Sequence, residues 1–331
     1  TYQHPEFGHS TGFDYTRTKN PTRAGLEATL AAIEKADHAL ATSSGMAALV
    51  LLFNGFPVGS QVVAARDLYG GSFRWFNEQE SLGRFQFTYA NSEVELIAAI
   101  TDQTDYVYLE TPTNPLMVEF DIAKVSAIAH AKGAKVIVDN TVYSPIYQNP
   151  LELGADVVLH SATKYLSGHN DVLAGALMTN DQDLYDKLFY DQNTTGPTLS
   201  PLDSYLLMRG LKTLSLRMER ATQNAQKIVA YLKKSPAVKQ VYYTGKGGMI
   251  SLKVVDESKI PHILNTLKIF TFAESLGGVE SLITYPATQT HADIPVETRH
   301  SYGLTDDLLR LSIGIEDADD LIADLEVALE G

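Results

Sequence analysis

The chain has 331 residues, 44% of them hydrophobic, a formal net charge of −14 and no cysteine. That length can bury a substantial core, in one large domain or two. The acidic balance argues against a nucleic-acid partner, whose phosphates select basic patches, and against an anionic membrane surface. The missing cysteines exclude disulfides and thiol chemistry, which fits the cytosol. With no run of about 18 apolar residues and no signal peptide at its start, the chain is read as soluble and cytoplasmic, with small molecules or other subunits as partners.

From Tyr2 to Asn20 the sequence is polar and aromatic without a clear period, and it runs into YTRTKNPT over 15–22. Such a segment cannot carry its own core and is expected to be an arm that packs on something else. Its Tyr15 and Arg17 could bind an anion or form an exposed loop pair. A helix is predicted over 23–36, then a strand over 38–42 that runs into Ser43-Ser44-Gly45-Met46 and an apolar helix over 47–53. Strand, small-residue turn and helix N-terminus make a nest of free backbone N–H groups, which is a ready anion site or simply a tight turn.

The alternation continues with strands over 61–65, 85–90, 106–110 and 135–138 and helices over 72–82, 93–100 and 122–132. This pattern predicts an α/β fold with a mostly parallel sheet covered on both faces. Ligands in such folds sit beyond the carboxyl ends of the strands, where Tyr69, Asn114 and Asp139 fall. Asp139 follows Val136-Ile137-Val138, so a carboxylate stands at a buried strand end and needs a partner or belongs to a turn. A further strand over 155–159 leads into HSATKYLSGH, residues 160–169, with Ser161, Thr163 and a single lysine, Lys164. Burial after a strand disfavours the ammonium form, and an amine with a lowered pKa is nucleophilic and can form a Schiff base with a carbonyl. The alternative is a surface lysine that closes the strand.

After Gly196 the character changes. A long helix is predicted over 200–234, broken or bent near Arg209-Gly210, as a link to a smaller α+β region. That region has strands over 238–243, 249–254, 281–284 and 309–315 and a last helix over 318–329. Arg310 enters its last strand.

The motifs YTRTKNPT, SSGMAA, DLYGGSFR, ETPTNP, VIVDNT, HSATKYLSGHNDVLAG, RGLKTL, AESLGGVESL, THADIP and LLRLSIGIED occur in order along the whole chain. In these the chain resembles the family of pyridoxal phosphate (PLP)-dependent enzymes of Cys/Met metabolism, the cystathionine lyases and synthases. The resemblance implies a fold type I PLP-dependent transferase-like architecture. It divides the chain into an arm over 1–22 that reaches a neighbouring subunit, a PLP-binding domain over 23–212 and a smaller C-terminal domain over 213–331.

The resemblance also implies roles. Lys164 would be the Schiff-base lysine and proton shuttle, Asp139 the partner of the pyridinium N–H, Tyr69 the ring stacked on the cofactor and Asn114 a neighbour of its hydroxyl. The backbone N–H groups of Gly45 and Met46, the side chains of Ser161 and Thr163, and Tyr15 and Arg17 from a neighbouring subunit would hold the phosphate. Arg310 would take the substrate's α-carboxylate as a bidentate fork. Asp14 and Glu274 would face the distal ammonium of cystathionine, with Ser275 and Leu276 against the substrate and Thr290 behind them. No metal is implied, and a homotetramer built from two dimers with shared sites is.

On these terms the expected activity is γ-elimination of cystathionine, with some β-elimination. Cystathionine γ-synthase chemistry is the alternative, and a non-catalytic protein that keeps the fold is the reading of another class. Relatives usually carry some tens of residues before the arm, and a longer connection after Tyr243 than Thr244-Gly245-Lys246 provides. Residues are therefore expected to be missing at both places.

Overall fold

The computed structural model describes residues 1–330. Its first part alternates α1 (Pro21–Glu34), β1 (His38–Thr42), α2 (Gly45–Asn54), β2 (Ser60–Ala65), α3 (Gly70–Ser81) and β3 (Phe85–Ala90). It goes on through α4 (Glu93–Ala99), β4 (Tyr106–Glu110), α5 (Ile122–Ala131), β5 (Lys135–Asp139), the single turn α6 (Ser144–Tyr147), β6 (Val157–His160) and β7 (Gly175–Thr179). Polar caps set the starts. Asn20 accepts from the N–H groups of Thr22 and Arg23 ahead of Pro21, Ser44 from Ala47, and Asp121 from Lys124, each satisfying donors that a helix leaves free.

The strands form one seven-stranded sheet in the order β1-β7-β6-β5-β4-β2-β3. All neighbours are parallel except β7, which runs against both β1 and β6. The mostly parallel α/β layer expected from the sequence is therefore present. Strand β7 was not expected. Its residues Gly175-Ala176-Leu177-Met178-Thr179 are all buried, but two small residues weaken the strand signal. The next helix, α7 (Gln182–Thr195), was also missed, because it buries only Leu188 and Gln192 and so shows little apolar period.

The long helix predicted over 200–234 is two, α8 (Pro201–Leu211) and α9 (Leu214–Leu232), and the break falls at Lys212-Thr213. Gly210 stays inside α8. A Cβ there would lie 2.3 Å from the carbonyl oxygen of Ser167, so the glycine serves a close approach of chains and does not end the helix. Beyond α9 come β8 (Val238–Tyr242), β9 (Met249–Val254), α10 (Ile260–Thr266), β10 (Thr271–Phe272), β11 (Leu282–Thr284), α11 (Val296–Ser301), β12 (Leu308–Ser312) and α12 (Ala318–Glu330). A second sheet has the order β10-β11-β12-β9-β8, antiparallel except for the β10–β11 pair.

Helix α9 belongs to two cores. Leu214 and Met218 pack with Tyr165, Leu166 and Leu207 next to the large sheet, whereas Ala225, Ile228 and Leu232 pack with Ile250, Leu309 and Leu325 of the second one. The connection from β8 to β9 is short and tied down. Tyr243 Oη donates to the Gly247 carbonyl at 3.1 Å, the Gly247 N–H to Thr222 Oγ1 at 3.0 Å, and Lys246 lies 4.3 Å from the centre of the Tyr143 ring. No helix among the described residues is long and apolar enough to cross a membrane.

Candidate active site

The carboxyl ends of β1, β2, β4, β5 and β6 open onto one cavity. Lys164, Asp139, Tyr69, Asn114, Ser161, Thr163, Gly45 and Met46 all line it, as does Leu276 from the second sheet's side. The turn before α2 approaches the one after β6 so closely that a Cβ on Gly45 would lie 2.8 Å from Ser161 Cβ. Thr163 ties its loop to β7 by donating its hydroxyl to the Ala174 carbonyl at 3.1 Å and accepting the Ala174 N–H at 3.0 Å.

Lys164 Nζ donates to Ser275 Oγ at 2.8 Å. Burial, followed by the Arg310 charge, lowers its pKa to about 8, while Glu274 acts in the opposite direction. Near neutral pH the neutral amine fraction is then far larger than that of a solvated lysine, which favours nucleophilic and basic chemistry. Asp139 accepts from the N–H of Thr141 at 3.0 Å and from the Thr141 hydroxyl. Burial raises its pKa, and the Thr141 bonds and nearby His160 oppose that.

Arg310 is 1% exposed. It donates through Nη1 to Asn114 Oδ1 at 2.9 Å, and through Nη2 to the Ser275 carbonyl at 2.7 Å and Thr284 Oγ1 at 2.9 Å. Burial lowers its pKa to about 10, which leaves it charged at neutral pH. Ser275 thus touches Lys164 with its hydroxyl and Arg310 with its carbonyl. It does so at φ 87°, a left-handed backbone that a serine adopts only under constraint.

Tyr69 caps α3, is 44% exposed as a residue and donates its N–H to Glu110 Oε2 at 2.9 Å. Glu274 lies in a groove that adjoins the cavity, with Ser275, Thr163, Asn170 and Asp171. Thr290 lines neither space. Its carbonyl abuts Gly70 at the start of α3, and its hydroxyl meets His291 Nδ1 at 2.8 Å.

The arm residues are not brought to this cavity by their own chain. Asp14 is exposed and bound by the Ser10 hydroxyl and by His4. Arg17 lies 5.3 Å from the centre of the Tyr15 ring and donates to the carbonyl of Asn193.

Sequence reading missed Glu110, Thr141 and Ser72, which also line the cavity. Glu110 follows the apolar run Val107-Tyr108-Leu109 just as Asp139 follows its own run, so the same argument from a carboxylate at a strand end would have found it. Thr141 was signalled by its place two residues after Asp139, where a carboxylate bonds its own backbone.

These residues fit PLP: a buried amine of lowered pKa, a buried carboxylate on the neighbouring strand end, an aromatic ring, and a helix N-terminus framed by hydroxyls. When bound, the cofactor supplies an electron sink for negative charge developing at the substrate's α-carbon. Fold and cavity together define a fold type I PLP-dependent enzyme.

The family described as Cys/Met metabolism PLP-dependent enzymes matches residues 1–330, and the chain belongs to that family. The Bacillus subtilis protein named cystathionine gamma-synthase/O-acetylhomoserine (thiol)-lyase is 51% identical over 330 aligned residues, which cover 99% of this chain and 88% of that one. The cystathionine gamma-lyase of the same organism is 46% identical over 348 positions, covering 100% of this chain and 92% of that one. Among solved structures, cystathionine gamma synthase from Xanthomonas oryzae pv. oryzae, in complex with aminoacrylate and cysteine, has a TM-score of 0.96 at 40% identity, covering 99% of this chain and 90% of that one.

The alignment with the lyase is longer than this chain, so the lyase has residues that the chain lacks, whereas the alignment with the synthase needs almost no gaps. The short β8–β9 connection therefore agrees with a full-length relative. The expectation of missing residues there is withdrawn.

Proposed function

We propose that this chain is a cytoplasmic PLP-dependent enzyme acting at the γ-carbon of its amino-acid substrate, joining a thiol to an O-acylhomoserine to make cystathionine. The near gap-free alignment with the Bacillus subtilis synthase carries this preference for replacement over the elimination expected from sequence. Cystathionine γ-elimination is the second reading, supported by the lyase relative that matches the whole chain at 46% identity.

In either reaction the chain's residues do the same work. The Lys164 amine takes the α-proton and returns protons further along the substrate, and Ser275 holds it within reach. Arg310, oriented by Asn114 and Thr284, binds the α-carboxylate. Asp139 would hold the cofactor's ring nitrogen, Tyr69 its ring face, and Gly45, Met46, Ser161 and Thr163 its phosphate. Glu274 reads a distal ammonium. Tyr15, Arg17 and Asp14 would complete a neighbour's site within a homotetramer, since their own chain leaves them outside the cavity.

The deciding experiment compares two reactions of the purified protein. Cystathionine formation from O-acylhomoserine and cysteine should outpace 2-oxobutyrate release from cystathionine. The opposite order would establish the lyase reading, and neither product in a protein loaded with PLP would refute both.

A further inference from the structure

The cavity holds more carboxylates than its chemistry uses. Asp139 and Glu110 are register partners on the adjacent parallel strands β5 and β4. Their side chains therefore leave the sheet on the same side, with backbones about 5 Å apart. Asp67, in the connection from β2 to α3, is a further buried carboxylate that lies outside the cavity lining and acts on Glu110. Glu110 and Asp67 are each 6% exposed, and every charge acting on Glu110 comes from another carboxylate, Asp139 or Asp67.

The hydrogen bonds separate the members of this cluster. Asp139 accepts two bonds from Thr141, and His160 nearby favours its charge. Glu110 accepts one bond of good geometry, from the Tyr69 N–H at 2.9 Å; its Oε1 has no partner within hydrogen-bond distance, and the neighbouring Ser72 hydroxyl favours its charge only as the weakest influence on it. Two neighbouring carboxylates in a dry site cannot both stay ionised without a cation between them, and the proton goes to the one with fewer donors. Burial and Asp139 both push the Glu110 carboxyl well above the ordinary range.

We propose that Glu110 is a positioning residue held as a neutral carboxylic acid, fixing the start of α3 through the Tyr69 N–H and leaving Asp139 as the anion that faces the cofactor's ring nitrogen. A charge on Glu110 would compete with Asp139 for that nitrogen, and loss of its oxygen would free the residue that carries the stacking ring. The inference depends on PLP binding and not on which of the two reactions the chain carries out.

The test compares Glu110→Gln with Glu110→Ala, each in the holoenzyme. Glutamine keeps the shape and the acceptor but cannot ionise. It should bind PLP within about threefold of the wild type, with the same absorbance maximum and an unchanged KM, whereas alanine should weaken PLP binding by about tenfold or more, the effect of an orphaned buried donor. Infrared difference spectra of wild type against Glu110→Gln should show a protonated-carboxyl band that the variant lacks.

The proposal is overturned if that band is absent, or if glutamine loses as much affinity as alanine. Should the alanine variant fail to fold, the glutamine variant and the infrared band decide alone. A wild type that binds no PLP would instead overturn the cofactor assignment, so the two failures are distinguishable.

Discussion

Lys164 and Arg17 are both basic residues of the proposed site, and they sit in opposite surroundings. Lys164 is enclosed by strand ends and by Ser275, and its pKa falls because water is kept away. Arg17 is exposed, and the protein group it bonds is the carbonyl of Asn193. Even so, its backbone is firmly placed, because the buried guanidinium of Arg23 donates to the carbonyls of Thr16, Arg17 and Thr18. The rim makes reactivity by excluding solvent, which a single chain can do for itself. The arm presents a fixed backbone with exposed side chains, as a segment built to meet another surface would.

Removing the rim's amine should have the largest effect. Lys164→Ala is expected to lower turnover by several orders of magnitude and to abolish the absorbance of covalently held cofactor; near-normal turnover would end the assignment.

Acid should also separate the buried interior from the arm. Burial holds the His291 imidazole down to about 4, against an ordinary value of 6.5. As pH falls from 6.5 towards 4 the unfolded chain takes up a proton that the folded one refuses, so stability is lost across that window, by up to about 3 kcal/mol. His291→Gln should flatten the pH dependence of the urea midpoint between pH 6.5 and 4. A slope unchanged from that of the wild type would remove His291 from the account.

The arm is tested by Arg17→Ala, which should weaken PLP binding by about tenfold or more, as for a lost charge-assisted contact. Mixing this variant with Lys164→Ala chains should recover part of the activity through hybrid sites. No recovery after proven subunit exchange would confine the site to one chain.

The smallest expected effect falls at the groove. Glu274→Ala should lower kcat/KM for cystathionine by about 1 to 3 kcal/mol, with little change for a substrate that lacks the distal ammonium. Equal losses on both substrates would show that Glu274 supports the site without reading charge.

Sequence displayed the rim well because its logic is local. A buried strand followed by a residue that resists burial is visible in VIVD and in VVLHSATK, and those readings placed Asp139 and Lys164 in one cavity with Tyr69 and Asn114. Glu110 obeys the same logic at the end of its own apolar strand, and opens the motif ETPTNP that also holds Asn114. What stayed hidden depends on contacts distant in sequence. The antiparallel β7 and the link through Ser275 from Lys164 to Arg310 join residues more than a hundred positions apart, or small residues with no pattern of their own. The contact of Thr290 with Gly70 is likewise one between residues far apart in sequence.

Helix α9 has a consequence for how this gene could be divided. A split at Thr213, where the helical run breaks, would hand the whole helix to the C-terminal fragment. That fragment would carry Leu214 and Met218 into water, and the N-terminal fragment would lose the Arg217 guanidinium that donates to the carbonyls of Tyr165 and Gly210. Each half would then expose apolar surface and unpaired carbonyls that the intact chain buries, so a cut there should cost both fragments stability.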